Sequence, residues 1–427
     1  ADVETVKALL SIAAQARHYR TGLPFVVAEL QDIRKLPVVE RAYPGPVEVV
    51  AGDATISRLM VQNLLHPGLS EIYNELLAGE DGNELYIRSG DSVGGLTLGE
   101  LAAQRPAVIV LGILKPDGAN WKVNLLAPSD TRIEVDDRVV LMARNYSETE
   151  PDSRQEPLPA ISRITAAPRA YPVTASQHRV LVLGWNRRVP SLVAELSSYP
   201  GSDFEVDVVS VVPVAERERA IERYCGPESL VPCRHIEADY MVEEELRRMT
   251  PARYDSIILV SSDRLTSGEE ADARAMVGYL QLEDILQGNQ RRPQLIMELS
   301  DPDNRQLLYG HQSEMMISSM ILSHVLAQVA LRRELRAVLD ELFTVGGAEI
   351  QFRDPDDYPL PASADFHVLE KTLAGGGELA LGVYRARADD RGHRLQLNPP
   401  RREYLELQPG DRLVVLAHTS IVEGEVL

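Results

Sequence analysis

Two kinds of hydrophobic pattern recur along this chain. Short runs that are largely apolar occur at residues 24–32, 178–183, 206–212, 256–260 and 293–301, several of them closed by Gly, Pro or an acid, with a further strand candidate at 234–236. Runs of this length and continuity predict strands buried on both faces, as in a parallel sheet. Between them lie stretches whose apolar residues recur at spacings of three and four, residues 215–224, 242–249 and 271–286, and these predict helices. Strands alternating with helices predict a doubly wound α/β sheet over residues 178–343.

The pattern is used twice. Pro24-Phe25-Val26-Val27-Ala28-Glu29-Leu30-Gln31-Asp32 aligns with Pro293-Gln294-Leu295-Ile296-Met297-Glu298-Leu299-Ser300-Asp301 at an offset of 269 residues. Each copy is preceded by a helical stretch (3–14 and 271–286) and followed by a long amphipathic pattern (56–77 and 317–343). Near the end of each copy, Ile133-Glu134-Val135-Asp136-Asp137-Arg138-Val139-Val140-Leu141 aligns with Leu407-Gln408-Pro409-Gly410-Asp411-Arg412-Leu413-Val414-Val415, a turn leading into a strand.

The expected domains follow. Residues 1–82 are the C-terminal half of a first Rossmann-like lobe with its crossover helices, and 83–144 are a first β-rich C-lobe. Residues 145–177, rich in Pro and Ser, are a linker. Residues 178–343 are a second Rossmann-like lobe with crossover helices, and 344–427 are a second C-lobe. By comparison with its partner the first lobe lacks roughly 90 residues at its N-terminal side. A half-sheet cannot cover its own apolar faces, so the missing half is expected in the natural protein.

Composition narrows the function classes. With 44 basic and 64 acidic residues the net charge is −20, which repels a phosphate backbone and argues against nucleic acid as a partner. Cys225 and Cys233 are the only cysteines, too few for a disulfide framework. No apolar run approaches the roughly 18 residues that span a bilayer. The apolar stretch 315–331 is interrupted by Ser318, Ser319, Ser323 and His324 and better suits a dimer contact between lobes. Catalytic signatures are also missing: there is no His pair at zinc-ligand spacing, no Gly-x-Ser-x-Gly elbow and no Gly-x-x-x-x-Gly-Lys loop, so the chain is not expected to be an enzyme.

The order of these elements, with Val182-Leu183-Gly184-Trp185-Asn186-Arg187, Glu237-Ala238-Asp239, Ser261-Ser262-Asp263 and Met297-Glu298-Leu299-Ser300-Asp301, resembles the tandem RCK (KTN) regulatory domains of ion channels, most closely the CASTOR and POLLUX family and its bacterial relatives. The resemblance implies a cytoplasmic ligand-sensing gating ring of a cation channel, regulated by Ca2+. It also implies a homotetrameric ring on the cytoplasmic face of a membrane, and a pore-forming transmembrane segment upstream in the same chain. The alternative is a nucleotide-binding regulatory subunit, for NAD or ATP, of a potassium transporter.

Candidate sites divide between these readings. A pyrophosphate-binding turn needs three glycines and an acid at the end of the next strand; only Gly184 is present and that strand ends without an acid, which argues against NAD. Calcium needs six to eight oxygens. The resemblance points to the strand-end acids Glu29 and Glu298, while Glu237, Asp239, Asp263 and Asp301 lie on strand ends or loops at the ligand-binding side of such sheets. Asp354, Asp356 and Asp357 form a compact acidic loop that could converge on one ion.

Overall fold

The computed structural model describes residues 2–78, 82–118, 120–150, 157–163, 178–199, 203–226, 231–265, 267–308, 314–344, 346–361, 363–389 and 393–418. From the N-terminus the chain forms α1 (Asp2–Tyr19), β1 (Val26–Leu30), α2 (Leu36–Ala42), β2 (Val47–Ala51), α3 (Gly52–Leu65) and α4 (Leu69–Ala78). There follow β3 (Glu84–Ser89), α5 (Leu98–Gln104), β4 (Ile109–Asp117), β5 (Asn120–Leu125) and β6 (Arg138–Ala143). The middle of the chain holds β7 (His178–Leu183), α6 (Val189–Ser198), β8 (Phe204–Ser210), α7 (Val214–Cys225), β9 (Cys233–Glu237), α8 (Glu243–Arg248), β10 (Ser256–Leu259), α9 (Gly268–Leu286), β11 (Gln294–Leu299) and β12 (Glu314–Ile317). It closes with α10 (Ser318–Leu331), α11 (Leu335–Phe343), β13 (Ala348–Arg353), β14 (Ser363–Asp365), α12 (Phe366–Ala374), β15 (Leu379–Tyr384), β16 (Leu395–Leu397), β17 (Tyr404–Glu406) and β18 (Arg412–His418).

These elements form two compact units, each drawn from both halves of the sequence: residues 1–70 with 173–330, and residues 71–172 with 331–427. The long amphipathic patterns 56–77 and 317–343 are each two helices. The first breaks at His66-Pro67-Gly68, where proline lacks the N–H a continuing helix needs and Gly68 takes φ +100°. The second breaks between Leu331 and Leu335.

In the first unit, six strands form one parallel sheet in the order β12-β11-β10-β7-β8-β9. The chain moves outward from β7 to β8 and β9, then returns to β10 on the other side, so the order reverses between β7 and β10. In open α/β sheets ligands bind outside the carboxyl ends of the strands at such a reversal. Val180, Leu181, Val182 and Leu183 are fully buried, which explains the unbroken apolar run: helices cover both faces. Each such side chain contributes about 1.5–3 kcal/mol by leaving water. The same unit holds a two-stranded parallel sheet, β1 with β2, packed with α1 and α2 around Leu9, Leu30, Val39 and Tyr43.

The second unit holds two four-stranded antiparallel sheets, β3-β6-β4-β5 and β13-β18-β15-β16, with identical topology. Their agreement extends to irregularities. The register shifts between Val110 and Gly112 in one and between Ala380 and Gly382 in the other. The bulged residues Leu111 and Leu381 accept hydrogen bonds from Leu126 N and Asn398 N, both at 2.8 Å, and both donors have positive φ. A β-bulge at one site in two lobes is a designed feature of the fold that preserves a strand bend. The shared turns match as well: Asp137 accepts from Glu134 N at 2.9 Å and pairs with Lys115, while Asp411 accepts from Gln408 N at 3.0 Å and pairs with Arg385.

Part of the stretch expected as a linker is anchored in this unit. Leu158 N donates to Ala103 O at 3.0 Å, and Arg163 N donates to Ser129 Oγ at 3.0 Å. Among the described residues no helix is long and apolar enough to cross a membrane.

The bulge glycines have no room for a side chain. A Cβ on Gly382 would stand 2.1 Å from Gln396 O, and one on Gly112 would stand 2.3 Å from Asn124 O, whereas Gly22 faces open space. Gly112→Ala and Gly382→Ala are each expected to cost about 1–3 kcal/mol or more in urea unfolding, through overpacking against backbone. Gly22→Ala is expected to stay within about 0.5 kcal/mol of wild type. Equal stability of all three variants would contradict the shared bulge.

Candidate functional site

The switch point between β7 and β10 is built from the turn that follows β7. Gly184 turns the chain with φ +98°, and a Cβ there would meet Val260 O at 2.9 Å, so this position requires glycine. Its N–H donates to Val209 O at 2.9 Å, which ties the turn to the neighbouring strand. Asn186, at 1% exposure, then spans the crevice: its Nδ2 donates to Ser261 O at 2.8 Å and to Glu298 Oε2 at 3.0 Å, and its Oδ1 accepts from Arg188 N at 3.0 Å.

Two arginines leave the turn toward acids from three other elements. Arg187 N donates to Asp263 Oδ2 at 2.9 Å, and its Nε donates to both oxygens of Asp53 at 3.1 and 3.2 Å. Arg188 lies 3.4 Å from Asp53 through Nε, and its Nη1 is ion-paired with Glu298 Oε1. Ser318 Oγ also donates to Glu298 Oε1, at 2.9 Å. Asp53 stands in the first turn of α3, Glu298 on β11 and Ser318 at the start of α10. The crevice of the later lobe is therefore closed by a helix of the earlier one.

Burial and charge oppose each other here. Burial pushes the Asp53 carboxyl up to about 6, against the pull of the Arg187 and Arg188 guanidinium groups. Burial likewise lowers the pKa of Arg188, as does the like charge of Arg187, while Asp53, Asp263 and Glu29 act in the opposite direction.

Of the residues singled out from sequence, Gly184, Asp263 and Glu298 meet in this crevice. Glu29 ends β1 close by, where a Cβ on Gly52 would lie 3.1 Å from its Oε1. Asp301 turns to its own loop and accepts from Asp303 N at 3.0 Å. Glu237 accepts from Val214 N at 3.4 Å, and Asp239 accepts from Met241 N at 3.0 Å and pairs with Arg274. Asp354 caps the short turn Pro355–Asp357 by accepting from Asp356 N at 3.0 Å, and Asp354, Asp356 and Asp357 are all exposed. Among the described residues no group of three or more His, Cys, Asp or Glu side chains is placed to hold a metal ion.

The donor set decides what fits the crevice. Calcium needs several free oxygens, yet those of Glu298 are held by Arg188, Asn186 and Ser318, and two guanidinium groups stand among the acids, so the crevice does not fit Ca2+. A dinucleotide does not fit either. The turn has one glycine, β8 ends on Ser210 rather than an acid, and the cations that could meet a pyrophosphate are already neutralised by Asp53 and Glu298.

Sequence reasoning missed Asp53, Arg187, Arg188 and Asp272. Asp272 on α9 is fully buried and accepts from Ser300 N, Asp301 N and Asn304 Nδ2, each at 2.9 Å. Asp2 on α1 does the same for the earlier copy, accepting from Gln31 N at 2.8 Å and Lys35 Nζ at 2.7 Å. The signal was available as an offset of 270 residues between two acids at helix starts, near the 269 of the strands.

The raised Asp53 carboxyl has a signed consequence. The folded state holds this proton more tightly than the unfolded chain, so the contribution to stability is complete below pH 3.8 and is lost as pH rises through about 6. Asp53→Asn does not ionise. Its unfolding free energy is expected to rise relative to wild type by about 1–3 kcal/mol as pH goes from about 4 to 7, read by urea unfolding. A difference that is flat with pH would contradict the assignment.

Comparison with known proteins places this geometry. Residues 53–158 match the family described as Castor and Pollux, part of voltage-gated ion channel. The probable ion channel CASTOR of Oryza sativa subsp. japonica is 25% identical over 436 residues, which cover 93% of this chain and 47% of that protein. The ion channel POLLUX of Lotus japonicus is 25% identical over 394 residues, covering 84% of this chain and 41% of that protein. The chain thus spans about half the length of the curated relatives it matches. These relatives are named as ion channels, in keeping with the reading that the chain is not an enzyme. A solved structure titled as the human SLO3 gating ring superposes with a TM-score of 0.68 at 14% identity, over 98% of this chain and 85% of that one, a likeness of fold. Family match, relatives and fold agree in direction: residues 53–158 match the Castor and Pollux family, most of the chain is similar to CASTOR and POLLUX ion channels, and its fold is like that of a solved gating ring.

Proposed function

We propose that this chain is the ligand-sensing gating-ring segment of a cation channel, on the cytoplasmic face of a membrane, with Ca2+ as its regulatory ligand. The observation that carries the reading is the pair of antiparallel lobes with one topology and one bulge, in a chain that also holds a doubly wound sheet, together with relatives named as ion channels. A pore-forming segment would precede residue 1 in the natural protein, and four copies would form the ring. The crevice at Gly184 favours this reading over a nucleotide-controlled transporter subunit, because Arg187 and Arg188 are spent on acids of the protein itself.

Support for Ca2+ comes from the net charge of −20 and from exposed acids such as Asp354, Asp356 and Asp357, whose oxygens no arginine holds among the described residues. A hard cation collects carboxylate and carbonyl oxygens on a flexible frame, and an exposed turn can adjust to it where the packed crevice cannot.

Calorimetry with Ca2+ and Mg2+, with light scattering on the same purified chain, tests the reading. Ca2+ is expected to release or absorb heat and the chain to have the mass of a tetramer. Neutralising Asp354, Asp356 and Asp357 together to Asn is expected to weaken Ca2+ binding by about fivefold or more. Silence for both ions would remove Ca2+ sensing, and a monomer under all conditions would remove the ring.

A further inference from the structure

The second unit contains a cavity of about 70 Å3 between its two antiparallel lobes. Its walls come from α5 and β4 of one lobe, α12 and β15 of the other, and the anchored stretch that includes Leu158 and Ile161. Leu98, Ala102, Val110, Ile161 and Ala374 make most of the lining apolar. Three charged residues line it as well, Arg163, Glu370 and Arg401, and their pairing is unequal.

Arg401 has a complete set of partners. Its Nε lies 2.8 Å from Glu370 Oε2, Nη1 donates to Asn398 Oδ1 at 2.9 Å, and Nη2 donates to Val108 O at 2.9 Å. Arg163 does not. It is 7% exposed, its Nε and Nη2 both donate to the single carbonyl of Ala127, and it has no carboxylate partner among the described residues. Burial lowers its pKa to about 10, which leaves it charged at neutral pH. A buried charge without a counter-charge is costly, and proteins pair such groups or neutralise them with a ligand. His367 Nδ1, buried without a hydrogen bond, lies 3.8 Å from Glu370 Oε2 in the same lining.

We propose that this cavity is a binding site for a short-chain carboxylate, with the carboxylate on Arg163 and the alkyl body against Leu98, Ala102 and Ile161. The size sets the length: at roughly 10–15 Å3 per water-sized group, the space admits about five non-hydrogen atoms. The charge sets the class. Arg163 supplies one unmatched positive charge, and Glu370 in the same lining disfavours a second negative charge, so a monoanion fits better than phosphate. The inference is independent of the gating reading, because it rests on this cavity alone.

The test is calorimetry and thermal melting of the whole chain with propionate and butyrate, beside uncharged butyramide and inorganic phosphate. One of the two carboxylates is expected to bind with Kd of ~1 mM or tighter and to raise Tm. Butyramide and phosphate are expected to bind at least about tenfold more weakly. Arg163→Gln is expected to lose binding by about tenfold or more. Ala102→Leu fills the space while keeping the guanidinium and is expected to abolish binding, which keeps the proposal testable should Arg163→Gln not fold. Wild type that binds neither carboxylate, unchanged binding by either variant, or a preference for phosphate would overturn the proposal.

Discussion

A fully buried carboxylate, that of Glu298, sets the conditions for the switch point. Removing it from water is tolerable only with a cation and hydrogen-bond donors in place, because an isolated buried charge costs several kcal/mol. Arg188, Asn186 and Ser318 meet that demand. Arg188 also lies 3.4 Å from Asp53, which pairs with Arg187, so two guanidinium groups face two carboxylates. The start of α3 is thus tied to the crevice by ion pairs that offset part of the cost of burying Asp53. The turn at Gly184, the end of β11 and the start of α3 form one charge-balanced assembly.

The two copies show what such a demand does to a repeated fold. Features that serve the backbone are kept in both: the acid that clamps the loop after the strand (Asp2 and Asp272), the bulge (Leu111 and Leu381), and the turn acid (Asp137 and Asp411). Glu29 and Glu298 occupy matching strand ends but differ in environment, one half-buried and the other fully buried. A position shared in sequence can therefore hold an accessible acid in one lobe and a structural ion pair in the other.

Much of the fold was legible because its strands are short apolar runs flanked by turn residues, and because the repeat gives each weak match a second chance to appear. Residues 178–183 and 256–260 show this, as does the aligned pair 24–32 and 293–301. The helix breaks were less legible: an apolar spacing continues through His66-Pro67-Gly68 although the backbone cannot. The candidate site was half visible. Gly184, Asp263 and Glu298 carry local signals, a turn and two strand ends. Asp53 and Arg188 do not, since their meaning lies in a contact between residues more than a hundred positions apart. Two adjacent arginines directly after a glycine turn, in an acidic chain, were the available clue. Arg163 is the same case in the second unit, since an arginine in a Pro-rich stretch reads as solvated until its burial is known.

The central claim is that Glu298 and Arg188 depend on each other. A double-mutant cycle with Glu298→Gln, Arg188→Met and the double variant, read by urea unfolding, tests it most directly. The account gives a coupling of about 1–3 kcal/mol, with each single variant costing more than half as much as the pair. Additivity within about 0.5 kcal/mol would contradict it, and the crevice would then be held by packing alone.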